Sequence, residues 1–216
     1  METDHTRAEQ RLLDEALRPR AVALDAGCGR TTRLRHYRDR IVRLVGVDVD
    51  EDAGRENPYI DEFVHADLDQ PLPFADDCFD LVYANFVVEH LEHPERTFAE
   101  WRRVLRPGGR LVLLTSNRAN PLMAAADRLP SRVRLAIKRR GAGAAERDVY
   151  PTRYRANTPQ QLAHVAASAG FEPVSIGYVG TLHRYGARIP GLGRLLATVE
   201  RTLPAARRST IVAGYR

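Results

Sequence analysis

Short apolar segments alternate with helical patterns through the first half of the chain. The apolar segments have the length and composition of buried strands, and they cover residues 21–24, 41–47, 62–66, 79–84 and 110–115. Between the last two, Phe98, Trp101 and Val104 recur at helical intervals, and the glycines after Pro107 end that helix. This alternation is typical of βαβ units, so we predict a mainly parallel sheet covered by helices on both faces.

The pattern changes after residue 117. Residues 118–157 are irregular, whereas Thr158 and Pro159 open a well-marked helix that ends before Gly170. Further patterns predict helices over residues 7–17, 31–37, 50–57 and 189–203, and strands over residues 171–179 and 209–215. The predicted sheet therefore has seven strands.

Length and composition favour one ordinary globular domain. The chain has 216 residues, of which 44% are hydrophobic and 28% charged. We expect a single domain over residues 1–216, with a core at 21–117, a lid and substrate region at 118–157, and a C-terminal part at 158–216 that completes the sheet. The first ten residues are polar and no apolar segment approaches about 20 residues, so we expect a cytoplasmic protein. Cys28 and Cys78 are expected to be reduced.

The net charge is +5, and arginine supplies almost all the basic residues. Such a charge is compatible with binding to nucleic acid, but a solvated arginine-rich surface explains it as well, and we expect no nucleic-acid partner. The basic segment at residues 131–140 could contact an anionic membrane if the substrate is a lipid. A solvated helix is the alternative for that segment. The oligomeric state is not specified by the sequence.

A glycine-rich turn and three acidic residues carry the candidate chemistry. Gly27 and Gly29 follow the first strand, and glycines there let a ligand lie against the backbone. Asp25, Asp48 and Asp67 stand at the ends of three successive predicted strands. Asp48 follows Gly27 by 21 residues, close to the spacing at which an acid accepts hydrogen bonds from ribose hydroxyls. Acids at strand ends also serve as helix caps, but three in register with the turn favour a nucleoside-bearing cofactor.

An ordered set of motifs covers residues 21 to about 117. The set comprises Leu24-Asp-Ala-Gly-Cys-Gly29, Val45-Gly-Val-Asp-Val49, His65-Ala-Asp-Leu68, Leu72-Pro-Phe-Ala-Asp-Asp-Cys-Phe-Asp-Leu-Val82, Asn85-Phe-Val-Val-Glu-His-Leu91 and Leu105-Arg-Pro-Gly-Gly-Arg-Leu111. It resembles the motifs of class I S-adenosylmethionine-dependent methyltransferases, most closely those that act on small molecules. The resemblance implies a Rossmann-like, doubly wound, seven-stranded α/β sheet with an antiparallel last strand and a lid insertion after strand five.

The resemblance also implies S-adenosylmethionine as the cofactor and gives roles to residues around its methionine part. The backbone at Gly27 and Gly29 would lie against that part. Asp25 would steady the turn and face the cofactor's ammonium, with or without a water between them. Asn85 would approach the sulfonium end.

A second group of residues would hold the adenosine part. By the same resemblance, Asp48 would bind the ribose diol and Val49 would lie against the adenine. Asp67 would accept a hydrogen bond from the adenine amino group, and the Leu68 amide would meet a ring nitrogen.

Thr31 departs from the family pattern, which often has a third glycine there. We expect Thr31 to begin the following helix and to offer its hydroxyl to the backbone or the cofactor. A dinucleotide-binding fingerprint would need its third glycine at Thr32, so a nicotinamide-dependent reductase is disfavoured.

Two adjacent residues after strand four are candidates for proton transfer. His90 is the candidate general base, because an imidazole accepts a proton near neutral pH, and Glu89 stands beside it. The alternative is that both are structural. A metal site formed by Glu89, His90 and the distant His183 lacks a supporting ligand spacing, so we predict no metal.

Tyr150, Arg153 and Tyr154 are the candidate substrate-binding residues. With Arg155 they form an aromatic and basic patch that could stack on or ion-pair with an anionic or sugar-like substrate. The alternative is that they anchor the lid to the sheet.

These observations predict methyl transfer from S-adenosylmethionine to a small-molecule acceptor, at oxygen or nitrogen. Methylation of RNA or protein is an alternative, but Asn85-Phe-Val-Val stands where an Asn-Pro-Pro-aromatic tetrapeptide would be expected. Binding of S-adenosylmethionine without catalysis is a second alternative.

Overall fold

The computed structural model describes residues 4–126, 128, 132, 150–183 and 190–216. Apart from Arg132, the basic segment at residues 131–140 lies outside these ranges. Residues 141–145, within the expected lid region, lie outside them as well.

A seven-stranded sheet forms the centre of the molecule. Its strands are β1 Ala21–Ala26, β2 Ile41–Asp48, β3 Glu62–His65, β4 Phe79–Asn85, β5 Leu105–Ser116, β6 Pro173–Val179 and β7 Thr210–Tyr215. They lie in the order β3-β2-β1-β4-β5-β7-β6. Strand β7 is antiparallel to both of its neighbours, and the strands from β3 to β5 pair in parallel. The predicted Rossmann-like sheet with an antiparallel last strand is confirmed.

Helices cover both faces of the sheet. They are α1 Asp4–Ala16, a 3-10 helix at Arg33–Tyr37, α2 Glu51–Arg55, α3 Pro94–Val104, α4 Pro121–Ala126, α5 Pro159–Ser168, α6 Leu192–Thr202 and a 3-10 turn at Ala205–Arg207. Within the described ranges, none of these helices is both long and apolar enough to cross a membrane.

Alternate residues of the central strands build two separate cores. Leu24 joins the core that contains Phe98 and Trp101 of α3, whereas its neighbour Ala23 joins the core that contains Leu13 of α1. This two-sided burial explains why the central strands are mainly apolar instead of alternating with polar residues.

Helix α5 begins as its sequence predicts. The Thr158 hydroxyl accepts a hydrogen bond from the Gln161 amide at 3.2 Å, and the Gln161 side chain accepts from the Thr158 amide at 3.2 Å. This reciprocal pair is a capping box, which satisfies two amides that the first turn leaves without partners. Gly170, at φ +82°, follows the end of the helix.

The predicted helix after the glycine turn differs in its start and type. Thr32, not Thr31, caps it, because the Thr32 hydroxyl accepts a hydrogen bond from the Leu34 amide at 3.0 Å. The segment is a short 3-10 helix. The exposed Thr31 hydroxyl accepts a hydrogen bond from the Arg35 guanidinium at 2.8 Å instead.

Candidate cofactor and active site

A cleft of about 550 Å³ opens at the end of β1. Strand β1 lies between β2 and β4, so the order of the strands along the sheet reverses at this point. Ligands of open α/β sheets bind at such a switch point, beyond the carboxyl ends of the strands. The lining residues are Gly27, Cys28, Gly29, Arg30, Thr31, Asp48, Val49, Ala53, Asp67, Leu68, Asp69, Asn85, Phe86, Val87, His90, Leu91 and Tyr150. Nine of the twelve site residues predicted from the sequence line this cleft; Asp25, Arg153 and Tyr154 are not among its lining residues in the described part of the chain.

The glycine turn presents its backbone to the cleft. Gly27 has φ +78°, and a Cβ atom there would lie 2.3 Å from a methyl carbon of Val87. Gly29 has φ +46°, and nothing lies within 4 Å of the Cβ position. Gly27 is therefore needed both for its conformation and for close packing, whereas Gly29 is needed for its conformation and leaves open space beside the turn.

Asn57, a residue outside the predicted site, binds the backbone of the glycine turn through its side chain. Its side-chain amide donates to the carbonyl oxygens of Cys28 at 3.2 Å and Gly29 at 3.1 Å. The residue is buried after the end of α2. In the sequence it looks like an ordinary helix-ending residue before Pro58, so nothing local reveals the contact.

Asp48 is fixed at the end of β2 by two backbone amides. One carboxylate oxygen accepts from Gly29 at 2.8 Å, and the other accepts from Asp50 at 2.9 Å. A carboxylate has about four acceptor sites, so the arrangement leaves capacity for a ligand diol. Val49 follows it with an exposure of 57%, an apolar surface on the cleft wall that suits a flat aromatic ring.

Asp67 and Leu68 line the same cleft beyond β3. The Asp67 carboxylate accepts a hydrogen bond from the Asp69 amide at 2.9 Å, which orders this loop. Asp69 in turn accepts from the amides of Glu92 and His93 at 2.8 Å each. Asp69 therefore joins the loop to the start of α3, a contact that the sequence analysis missed.

Asp25 is buried under the turn and is not among the described residues that line the cleft. The Thr32 hydroxyl donates a hydrogen bond to its carboxyl group. Burial, together with the nearby charge of Asp48, raises the pKa of Asp25 to about 7, although the hydrogen bond from Thr32 acts in the opposite direction. Its contacts fit the predicted steadying of the turn, whereas the predicted contact with the cofactor's ammonium is not supported by direct exposure to the cleft.

Asn85 ends β4 and lines both the cleft and a second cavity of about 240 Å³. Phe86 and Thr31 also belong to both walls, so these residues separate the two spaces. In the second cavity the buried Glu9 carboxylate accepts from the Tyr83 hydroxyl and pairs with Arg33 at 2.7 Å. Burial raises the pKa of Glu9.

His90 has one ring nitrogen engaged and faces the cleft. Its Nδ1 lies 2.7 Å from the Pro151 carbonyl oxygen. Because a carbonyl oxygen only accepts, Nδ1 must carry the hydrogen, and in the neutral ring Nε2 then has a free lone pair. This is the protonation state that a general base requires.

Glu89 has a structural environment. Its buried carboxylate accepts from the Thr115 and Ser116 hydroxyls at 2.8 Å each. Its backbone carbonyl accepts from the Arg153 amide at 2.7 Å. These contacts fasten the segment after β4 to the end of β5, which is the structural alternative considered for Glu89.

Only one of the three predicted substrate-binding residues lines the cleft. Tyr150 lines the cleft, but Arg153 and Tyr154 are not among the lining residues in the described part of the chain. Arg153 pairs with Glu92 at 3.0 Å, and the Arg118 guanidinium lies 4.3 Å from the Tyr154 ring centre. The anchoring alternative therefore fits Arg153 and Tyr154 better than substrate binding does.

Metal binding has no support from side-chain clustering. Across the described ranges, no group of three or more histidine, cysteine, aspartate or glutamate residues is arranged to hold a metal ion.

The sheet order, the glycine turn after β1 and the acid at the end of β2 agree with the resemblance to class I S-adenosylmethionine-dependent methyltransferases. Residues 24–113 match the family model described as a methyltransferase domain. This part of the chain is therefore similar to a methyltransferase domain of that class, whose cofactor is S-adenosylmethionine.

Two curated relatives named as methyltransferases are similar to this chain over about half of its length. A malonyl-[acyl-carrier protein] O-methyltransferase of Enterobacter lignolyticus (strain SCF1) is 34% identical over 113 residues, which are 51% of this chain and 41% of that protein. A demethylmenaquinone methyltransferase of Renibacterium salmoninarum is 34% identical over 114 residues, 50% of this chain and 47% of that protein. The chain thus spans less than half the length of these two relatives.

The solved structure of an S-adenosylmethionine-dependent methyltransferase from Mesorhizobium loti has the same fold. It aligns with a TM-score of 0.64 at 18% identity and covers 98% of this chain and 97% of that chain.

Proposed function

We propose that this protein transfers the methyl group of S-adenosylmethionine to a small-molecule acceptor, at oxygen or nitrogen. The observation that carries the proposal is that the cleft brings Asp48, Asn85 and His90 onto the walls of one space. A site for the cofactor and a candidate base for the acceptor therefore adjoin each other.

The residues present fit the cofactor. The free acceptor capacity of Asp48 suits the ribose diol, and Asp67 and Val49 lie where the adenine would be held. The backbone at Gly27 and Gly29 leaves room for the methionine part.

Bound S-adenosylmethionine supplies a methyl group that its sulfonium has already activated. The protein must therefore align the acceptor and, for a hydroxyl or a protonated amine, remove a proton. His90 Nε2 takes that proton as the acceptor's lone pair forms the bond to the methyl carbon. Bound S-adenosylmethionine would supply the methyl group, with the electrons of the broken carbon–sulfur bond remaining on sulfur and S-adenosylhomocysteine as the second product.

The names of the relatives do not agree on one acceptor. One is named for malonyl-[acyl-carrier protein], an acyl group on a carrier protein, and the other for demethylmenaquinone. The proposal is accordingly a class of acceptor.

The direct test is an acceptor screen with methyl-labelled S-adenosylmethionine. Hydroxyl- and amine-bearing small molecules are incubated with the protein, and transfer of label is measured alongside RNA and protein substrates. Transfer to a small molecule supports the proposal. Label in RNA alone, or in the amino-acid side chains of a protein alone, would contradict it, as would binding of S-adenosylhomocysteine with no transfer to any acceptor.

A further inference from the structure

Two consecutive residues contact segments that follow two different strands, β2 and β4. The Tyr150 hydroxyl donates a hydrogen bond to the Asp50 carboxylate at 2.8 Å, just beyond β2. The carbonyl oxygen of Pro151, the next residue, accepts from His90 Nδ1 at 2.7 Å, beyond β4. We call residues 150–155 the strap, because this segment joins the cofactor side of the cleft to the candidate base.

The C-terminal end of the strap is bound to the segment between β4 and α3. The amides of Arg153 and Tyr154 both donate to the Glu89 carbonyl oxygen, at 2.7 and 3.1 Å. The side chains of Arg153 and Arg155 both pair with Glu92, at 3.0 and 2.8 Å. At the other end of the strap, the position of Tyr150 depends on its hydrogen bond to Asp50.

Asp50 is well placed to hold Tyr150. One of its carboxylate oxygens caps α2 by accepting from the Ala53 amide at 2.9 Å, which fixes the side chain. The other accepts from Tyr150. Burial, followed by the hydrogen bond to Asp50, raises the pKa of Tyr150, so the phenol keeps its proton and donates near neutral pH.

We propose that Tyr150 is a positioning residue for His90. Its bond to Asp50 places the Pro151 carbonyl where it accepts from Nδ1, and that bond selects the ring form in which Nε2 can take a proton. The Tyr150 ring supports the arrangement by packing edge-on to the imidazole, with 6.0 Å between the ring centres. The inference rests on the proposed function, in which His90 is the base.

The test is Tyr150→Phe, which keeps the ring and removes the hydroxyl. Tyr154→Phe is the matched control, because stacking on Arg118 does not need the Tyr154 hydroxyl. Nitrogen NMR of histidine-labelled full-length protein at about pH 8, above the ordinary imidazole pKa of ~6.5, reports which ring nitrogen carries the hydrogen. The His90 signals are assigned by their loss in His90→Gln.

We expect the parent and Tyr154→Phe to show His90 protonated on Nδ1, and Tyr150→Phe to show a mixture of both ring forms. Asp50→Ser keeps a side chain that can cap α2 but is too short to reach the Tyr150 hydroxyl, so it should reproduce the effect of Tyr150→Phe. The turnover number of Tyr150→Phe should fall roughly three- to tenfold, the range controlled by one ordinary hydrogen bond.

The NMR measurement needs no turnover, so the two proposals fail separately. An unchanged His90 ring form in Tyr150→Phe would overturn the positioning role even if the parent methylates a small molecule. A changed ring form in a protein that methylates nothing would leave the positioning contact in place and remove the proposed reaction.

Discussion

At the scale of single residues, the side chains of the site are oriented by backbone groups. Both carboxylate oxygens of Asp48 accept from amides, and Nδ1 of His90 donates to a carbonyl. A side chain held in this way has little freedom left to lose when a ligand binds, which favours binding and catalysis.

Asp48→Ala should weaken binding of S-adenosylhomocysteine by roughly 1–3 kcal/mol, because charged hydrogen bonds to the ribose diol are lost. Isothermal titration measures the change. Asp52→Ala, at an exposed position on α2, is the matched control and should bind as the parent does. Unchanged affinity in Asp48→Ala would remove this residue from the cofactor site.

His90→Ala should lower the turnover number by roughly 100-fold or more, the usual contribution of a general base, and leave the affinity for S-adenosylhomocysteine nearly unchanged. The control is His164→Ala, an exposed histidine on α5. Equal turnover in His90→Ala and the parent would exclude His90 as the base.

Asp25 should make stability depend on pH. Burial raises its folded-state pKa from 3.8 to about 7, so the folded protein holds this proton more tightly than the unfolded chain does. The free energy of unfolding contributed by this group therefore falls as pH rises from about 4 to about 7, by at most roughly 4 kcal/mol.

Asp25→Asn cannot ionise and should lose this dependence. Urea unfolding between about pH 5 and about pH 7.5 should show the variant gaining stability relative to the parent as pH rises. Parallel curves for the two proteins would contradict the raised pKa. Asp52→Asn serves as the exposed control.

At the scale of elements, the turn after β1 is specified by two different demands on glycine. Gly27 and Gly108 have nearly the same φ, +78° and +79°, but only the Cβ position of Gly27 is crowded. The two positions therefore separate the cost of conformation from the cost of packing.

Gly108→Ala should cost about 1–2 kcal/mol of stability, the penalty of a left-handed conformation. Gly27→Ala should cost a further 1–3 kcal/mol or so, because its methyl group would overlap Val87. Urea unfolding of both variants measures the difference. Equal losses would show that Val87 moves aside freely.

At the scale of the whole molecule, the strand order creates the site. Residues from β1, β2 and β4 meet only because β1 lies between the other two strands. The strap adds a contact between Tyr150 and Asp50, which are 100 residues apart in the chain. Because several strands contribute to the cleft, a ligand bound there should stabilise the whole folded domain against unfolding.

S-adenosylhomocysteine at about 100 times its dissociation constant should stabilise the folded state by roughly 2.7 kcal/mol. For a chain of this size, the melting temperature should rise by roughly 5–10 °C. Thermal unfolding with the same concentration of NAD is the control and should show no rise. A rise with NAD alone would favour the nicotinamide-dependent alternative.

The sequence by itself determined the elements and most of the predicted residues that line the cleft. Apolar strands and capped helices depend on local spacing, so the seven strands and α5 could be predicted from it. Asp48, Asp67 and Asn85 could be predicted too, because they stand at strand ends, and a parallel sheet brings those ends to one edge.

Only the tertiary structure decided which side chains meet across long separations. Asn57 holds the glycine turn, the Pro151 carbonyl binds His90, and Arg153 turns away to Glu92. Local periodicity carries no information about such contacts, because each depends on how separate elements pack. The sequence thus determined which strand ends meet at the cleft, and the packing of distant segments decided how the residues there are held.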